Sequence, residues 1–114
     1  MQTVNLREKF AKFSDTPRVI GELNDCHVKA VKLKGSLIWH HHDDEDELFM
    51  VFKGVKFRDR EAVVNEGEFI IVPRGVEHLP TADEEVHILL LEPKTTLNPR
   101  NVVNERTVSQ LERS

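Results

Sequence analysis

The chain between residues 17 and 92 alternates short apolar runs with clusters of turn residues. Short runs rich in Val, Ile, Leu and Phe, punctuated by Gly, Pro, Asn or Asp, are typical of all-β sandwiches and barrels. The predicted strands cover residues 19–23, 28–33, 36–42, 48–53, 55–58, 62–64, 69–72 and 86–92. Turn residues separate them at positions 34–35, 53–54, 59–60, 65–67 and 73–75. The pattern therefore predicts one β domain with little room for helices.

A short amphipathic helix is predicted at the N-terminus. Asn5 can cap it, and Leu6, Phe10 and Phe13 recur at the helical spacing of four and three residues. The chain becomes polar and loses its period near the other end, where we expect no packed element. The predicted regions are a helical segment over residues 1–16, a barrel over 17–93 and a polar strap or tail over 94–114.

Composition and charge exclude several classes of function. Apolar residues make up 39% and charged residues 32% of the 114 residues, as in a globular domain with one core. The net charge of −4 and the scattered Lys and Arg offer no basic stripe for nucleic acid. No apolar stretch approaches the ~20 residues that cross a bilayer, and no secretory signal is visible, so we expect a cytoplasmic protein. Cys26 is the lone cysteine, which excludes an internal disulfide.

The triplet His40, His41 and His42 is the first candidate for chemistry. Alternate side chains of a strand share a face, so His40 and His42 point to one side and His41 to the other. Two imidazoles about 7 Å apart along one face can bind a single cation. Taken alone, the triplet fits a surface histidine cluster better, and two further residues favour the metal site.

Glu47 is the expected carboxylate ligand. The acidic stretch over residues 43–46 is long enough to reverse the chain, so an antiparallel strand that begins at Glu47 returns beside the histidines. Phe49 and Val51 share the face of Glu47 and are predicted to form apolar wall. The other acidic residues of the stretch are expected to be solvated.

His78 is the fourth candidate ligand. It ends the pattern Gly67-x5-Pro73-x-Gly75-x2-His78. Gly67 permits a tight turn before a strand, and Pro73 with Gly75 bends the chain so that His78 returns to the barrel. A lone histidine in this position is more often an ordinary loop residue, but the spacing of the glycines and proline argues against chance.

Two motifs within residues 35–92 resemble those of the cupin superfamily. They read His40-x-His42-x4-Glu47-x6-Gly54 and Gly67-x5-Pro73-x-Gly75-x2-His78, separated by only 12 residues. This compact arrangement is similar to that of the small single-domain, conserved-barrel (cupin 2-like) members. The resemblance implies an all-β jelly-roll barrel, the cupin double-stranded β-helix, with a short N-terminal helix. It also implies that the barrel interior is lined by His40, His42, Glu47 and His78.

The implied cofactor is one divalent transition metal ion. Three imidazoles and one carboxylate suit Zn, Mn, Fe or Ni, and affinity alone does not select among them. The resemblance implies a metal-dependent enzyme that acts on a small oxygen-rich molecule, of the isomerase or the dioxygenase type. The alternative is a non-catalytic barrel that binds a sugar-like small molecule, since one fold supports many functions.

Different residues would serve the two enzyme types. A phosphosugar isomerase needs a cationic cradle and a proton shuttle, for which the candidates are Lys29, Lys32, Arg74 and His87. Of these, we expect Lys29 to be a surface lysine and His87 a structural histidine. A dioxygenase needs an apolar, water-poor pocket, for which the candidates are Ile38, Phe49, Val51 and Leu89.

The expected partners are a small-molecule ligand and a second copy of the chain. Phe10, Phe13 and the strand over residues 19–23 offer more apolar surface than a small barrel covers. We therefore predict a homodimer in which the N-terminal segment crosses to the partner. The alternative is a monomer whose helix packs on its own barrel.

Overall fold

The computed structural model describes residues 1–12, 17–36 and 43–96, which form one helix and seven strands. In chain order these are α1 (Leu6–Ala11), β1 (Arg18–Leu23), β2 (Cys26–Ser36), β3 (Glu47–Lys53), β4 (Lys56–Asp59), β5 (Ala62–Asn65), β6 (Phe69–Val72) and β7 (Pro80–Pro93). The all-β prediction with a short N-terminal helix is confirmed. Within the described ranges, no helix has the length and apolar character needed to cross a membrane.

β7 is the central strand of an antiparallel sheet. The described strands pair in the order β1-β2-β7-β3-β6, and β4 pairs with both β5 and β7. β2 accompanies β7 from the pair Cys26↔Pro93 to the pair Ser36↔Thr81. On its other side, β7 pairs first with β4 and then with β3. Because β7 changes partner along its length, it joins the two parts of the sheet around one interior.

The inner face of the sheet carries the main hydrophobic core. The core consists of Leu33, Phe49, Val51, Phe57, Val64, Val72, Ala82, Val86, Ile88 and Leu90. Each strand from β2 to β7 contributes at least one of these side chains. Phe49 and Val51 therefore lie on the inner face, as the alternation from Glu47 predicts.

Helix α1 packs on the outer face of the sheet. The Glu8 amide donates a hydrogen bond to Asn5 Oδ1 at 3.0 Å, which confirms the predicted N-cap. Phe10 is 2% exposed and stacks on His87 and Phe52, with ring centroids 4.6 and 5.8 Å apart. The helix ends at Ala11, and residues 13–16 lie outside the described part of the chain. In this structure the helix thus rests on the sheet of its own chain.

Two strands, β2 and β7, differ from their predicted limits by more than one residue. The turn expected at residues 34–35 is a bulge inside β2, where the pairing register shifts and Gly35 takes a φ of 86°. Glycine adopts this left-handed conformation without a Cβ clash, so the strand continues past it. β7 begins at Pro80 rather than at residue 86, because Thr81 pairs with both Ser36 and Arg58. The predicted strand over residues 36–42, beyond Ser36, lies outside the described residues.

Candidate metal centre

Glu47 and His78, two of the four predicted ligands, meet inside the barrel. Glu47 Oε1 and His78 Nε2 are 3.3 Å apart, and the two side chains are 3% and 2% exposed. Burial to this degree is rare for ionisable residues unless they are paired or bind a cation. His40 and His42, the other two predicted ligands, lie outside the described residues.

Strand pairing and a tight turn bring these two residues together. Glu47 is the first residue of β3 and pairs with Val72, the last residue of β6. The chain then turns at Pro73 and Gly75, where Gly75 has a φ of 78° and the Val76 amide donates to the Pro73 carbonyl at 3.3 Å. This turn returns His78 to the end of β3, as the glycine and proline spacing predicts.

The hydrogen bond of His78 decides which ring nitrogen faces Glu47. His78 Nδ1 lies 3.0 Å from the Val76 carbonyl oxygen. Because a carbonyl only accepts hydrogen bonds, Nδ1 carries the proton, and in the neutral ring Nε2 presents its lone pair toward Glu47. Burial alone would lower the pKa of His78. The interaction with the Glu47 carboxylate and the hydrogen bond to the Val76 carbonyl outweigh burial, so the pKa is raised overall.

This arrangement fits a bound metal ion. A histidine ligand usually donates its second ring N–H to a carbonyl or carboxylate, as His78 does. Two N or O ligands held about 2.0–2.2 Å from one ion, at octahedral to tetrahedral angles, lie about 2.8–3.6 Å apart. The observed 3.3 Å falls in that interval. Among the described residues, no group of three or more His, Cys, Asp or Glu side chains is placed to hold an ion, so a complete site needs further ligands.

Lys29 and Glu92 form a buried ion pair beside Glu47. Lys29 is 3% and Glu92 2% exposed, and Lys29 Nζ donates to Glu92 Oε1. The expectation of a surface Lys29 is therefore wrong. Lys29 shares a strand face with Val31 and Leu33, which pack in the core; alternation predicts this shared face but not that the face is inward.

Glu92 also contacts the candidate ligand Glu47. Both residues are buried, and their carboxyl groups interact with little screening by water. Burial, together with the Glu47 contact, raises the pKa of Glu92, while the Lys29 ammonium partly offsets the rise. The buried group thus contains two carboxyl groups and one ammonium, an arrangement that favours a further cation or a proton.

Asp59 is a buried carboxyl group that the sequence reasoning missed. It is 4% exposed at the end of β4, and its Oδ1 accepts a hydrogen bond from the Leu79 amide at 3.0 Å. Oδ2 has no hydrogen-bond partner among the described residues. Burial raises the pKa of Asp59, and the nearby His78 and Arg60 oppose this rise. Because Asp59 precedes Arg60 in a predicted turn, the sequence indicated only a solvated turn residue.

A cavity of approximately 410 Å³ opens beside His78. Its polar lining residues are Asp59, Arg60, Glu61 and His78. Its apolar lining residues are Ala62, Ile70, Ile71, Val72, Pro73 and Val76. The candidate metal centre therefore borders a space that can hold a small molecule.

Other sequence candidates lie away from this centre. His87 stacks on Phe10 at the outer face, which confirms it as a structural histidine. Leu89 packs with the cluster around Phe10 and not with the inner core, so it does not line the interior pocket proposed for an oxygenase. Arg74 has an exposed side chain 4.0 Å from Asp46, near the turn that precedes His78.

Comparisons with known proteins show similarity in sequence and in fold. Residues 29–92 match the family model described as a cupin domain. A structure of a cupin-2 domain containing protein from Shewanella frigidimarina is 41% identical, with a TM-score of 0.74 over 80% of this chain and 94% of that one. Protein NMB1881 from Neisseria meningitidis is 25% identical, with a TM-score of 0.71 over 82% of this chain and all of that one.

A curated relative is similar over a shorter region. The uncharacterized protein YdbB of Bacillus subtilis is 39% identical in a 77-residue alignment that covers 64% of this chain. The matched region also spans 64% of the length of that relative.

Proposed function

Because the chain belongs to the cupin family, we propose that it is a metal-dependent enzyme that acts on a small oxygen-rich molecule. The proposed ligands of one divalent transition metal ion are Glu47 and His78, together with His40 and His42. Zn, Mn, Fe and Ni all suit three imidazoles and one carboxylate.

The observation that carries this proposal is the approach of Glu47 Oε1 to His78 Nε2 at 3.3 Å inside the barrel. Desolvation offsets most of the stabilisation that an ion pair at this depth provides. A purely structural role therefore gives a weak explanation for the contact between Glu47 and His78. A bound cation accounts for the distance, the burial and the excess of carboxyl groups around Lys29.

Residues of the chain orient the proposed ligands and exclude water from one side of such a site. Val76 fixes the ring of His78 through Nδ1, and Lys29 with Glu92 orients the carboxylate of Glu47. The inner core, which includes Phe49 at 6.0 Å between ring centroids from His78, excludes water from one side. A bound metal supplies Lewis-acid or redox chemistry to a substrate oxygen at its open positions.

Elemental analysis of the purified full chain tests the proposal. We expect close to one transition metal ion per chain. The double variant His40→Ala, His42→Ala and the single variant His78→Gln should each lose most of it, because they remove nitrogen ligands. His87→Gln is the matched control, since it changes a histidine on the outer face against α1.

The result that overturns the proposal is specific to the site. If the two ligand variants carry as much metal as the unmodified chain while circular dichroism shows a native β fold, the ligand assignment is wrong. Loss of metal from His87→Gln as well would indicate adventitious binding to histidines rather than a centre in the barrel.

A further inference from the structure

Asp59 is a buried residue whose carboxylate is only half engaged. It is the last residue of β4, where it shares the inward face with the core residue Phe57. It is 4% exposed, and its Oδ1 accepts the hydrogen bond from the Leu79 amide at 3.0 Å. Its Oδ2 is shielded from solvent and has no hydrogen-bond partner among the described residues. This oxygen has therefore lost its hydration without gaining a donor in exchange, which destabilises the fold.

A purely structural role explains Oδ1 but not Oδ2. Buried polar side-chain atoms in folded proteins are mostly hydrogen-bonded, so each exception calls for a cause. The neighbouring Arg58 does not provide the missing donor, because its side chain is half exposed and lies 3.9 Å from Asp83. Residues retained at a cost in stability are common at functional sites.

The cavity of approximately 410 Å³ is the space from which a donor can come. Asp59 and His78 both line it, together with Arg60 and Glu61. The terminal torsion of an aspartate side chain is broad, so a small rotation can turn Oδ2 toward a molecule in the cavity. The Leu79 amide meanwhile holds the other oxygen. Asp59 can therefore accept one further hydrogen bond from a molecule bound beside His78.

We propose that Asp59 is a ligand-binding residue of this cavity, and that its Oδ2 accepts a hydrogen bond from a hydroxyl group of a small molecule. The inference rests on the proposed function only for the choice of donor, because an oxygen-rich molecule offers O–H groups. An ionised carboxylate only accepts, so a ligand without a donor gains nothing from Asp59. The cavity is large enough, since small-molecule pockets commonly start near ~300 Å³.

Two probes that differ only in their donors test the inference. They are trans-cyclohexane-1,2-diol and its dimethyl ether, which share one ring and the same two oxygens. Each is titrated at millimolar concentration into the isotope-labelled full chain, and the Leu79 amide resonance is followed by NMR. This amide reports on the site because it donates to Asp59 Oδ1. The diol should shift the resonance to saturation and bind at least about fivefold more tightly than the ether, which lacks the hydrogen bond.

The variant Asp59→Asn locates the preference on this residue. It keeps an oxygen for the Leu79 amide but replaces the second acceptor by a donor, so the diol and the ether should bind within about twofold of each other. Asp83→Asn is the matched control, because Asp83 is 80% exposed and does not line the cavity. It should keep the full preference for the diol. The comparison on the unmodified chain decides the matter even if Asp59→Asn does not fold.

The outcomes separate this inference from the proposed function. If neither probe shifts the Leu79 resonance, or if both bind equally to the unmodified chain, Asp59 does not bind a ligand hydroxyl and the inference fails. A preference for the diol that persists in Asp59→Asn assigns the donor to another residue and also overturns it. Neither result changes the metal content, which tests the proposed function separately. A chain without metal that still prefers the diol through Asp59 would refute the metal-dependent function and leave this site in place.

Discussion

At the scale of single residues, the buried pair of Lys29 and Glu92 should be strongly coupled. Removing one partner leaves an uncompensated charge inside the barrel, so Lys29→Met and Glu92→Leu should each lower the free energy of unfolding by about 3–5 kcal/mol. The loss in the double variant should be smaller than the sum of the two single losses by at least about 1 kcal/mol, because neither charge is left without its partner. Urea denaturation of metal-free protein measures all three values.

The exposed pair Lys94 and Glu22 provides the control for this cycle. Lys94 Nζ lies 3.1 Å from Glu22 Oε2, but the side chains are 40% and 42% exposed. Solvent screens such a pair, so its coupling should stay below about 1 kcal/mol. If the coupling energy between Lys29 and Glu92 is as small as that between Lys94 and Glu22, the buried contact does not stabilise the protein.

At the scale of elements, Gly54 sets how closely the turn between β3 and β4 approaches β7. A Cβ at Gly54 would lie 2.9 Å from both the Glu85 carbonyl oxygen and Val86 Cγ1, and its φ is 115°. Gly54→Ala should therefore lower the free energy of unfolding by about 2–4 kcal/mol, from backbone strain and overpacking together. Thermal or urea denaturation gives the value.

A substitution at Gly67 separates backbone strain from overpacking. Gly67 also has a positive φ, 85°, but no atom lies within 4 Å of the position of an added Cβ. Gly67→Ala should therefore show the strain alone, about 1–2 kcal/mol. Equal losses in both variants would mean that contact with β7 contributes nothing at Gly54.

At the scale of the whole molecule, the homodimer stays a prediction. Phe10 no longer argues for it, because its own chain buries Phe10 against Phe52 and His87. The support now comes from β6, which pairs only with β3 among the described strands and exposes Phe69 and Ile71 by 61% and 53%. Apolar edge strands are commonly covered by a symmetric partner.

Light scattering at micromolar concentration measures the assembly. We expect about twice the chain mass of 13.2 kDa. The variant Phe69→Glu, Ile71→Glu should shift the protein to the monomer mass, whereas Leu23→Glu, an exposed change on β1, should not. A monomer mass for the unmodified chain would exclude the homodimer at that concentration.

In the candidate site, local sequence patterns predict some of the residues and miss others. Glu47 and His78 were identified from motif spacing, since a strand start and a glycine-proline turn are local features. The prediction of a surface Lys29 is wrong because alternation shows which residues share a face but not which face is covered. Asp59 gave no signal, since its burial depends on the Leu79 amide 20 residues later.

By itself, the sequence determined the all-β class, the N-cap at Asn5 and most strand limits, because turn residues and side-chain alternation act over a few residues. Only the tertiary structure decided the course of β7, the inward direction of Lys29 and the contact of Glu92 with Glu47. These features depend on pairing between distant strands, in which burial and hydrogen bonding are supplied by residues far away along the chain. For this reason, the motif that contains Glu47 does not indicate that Lys29 and Glu92 are buried beside it.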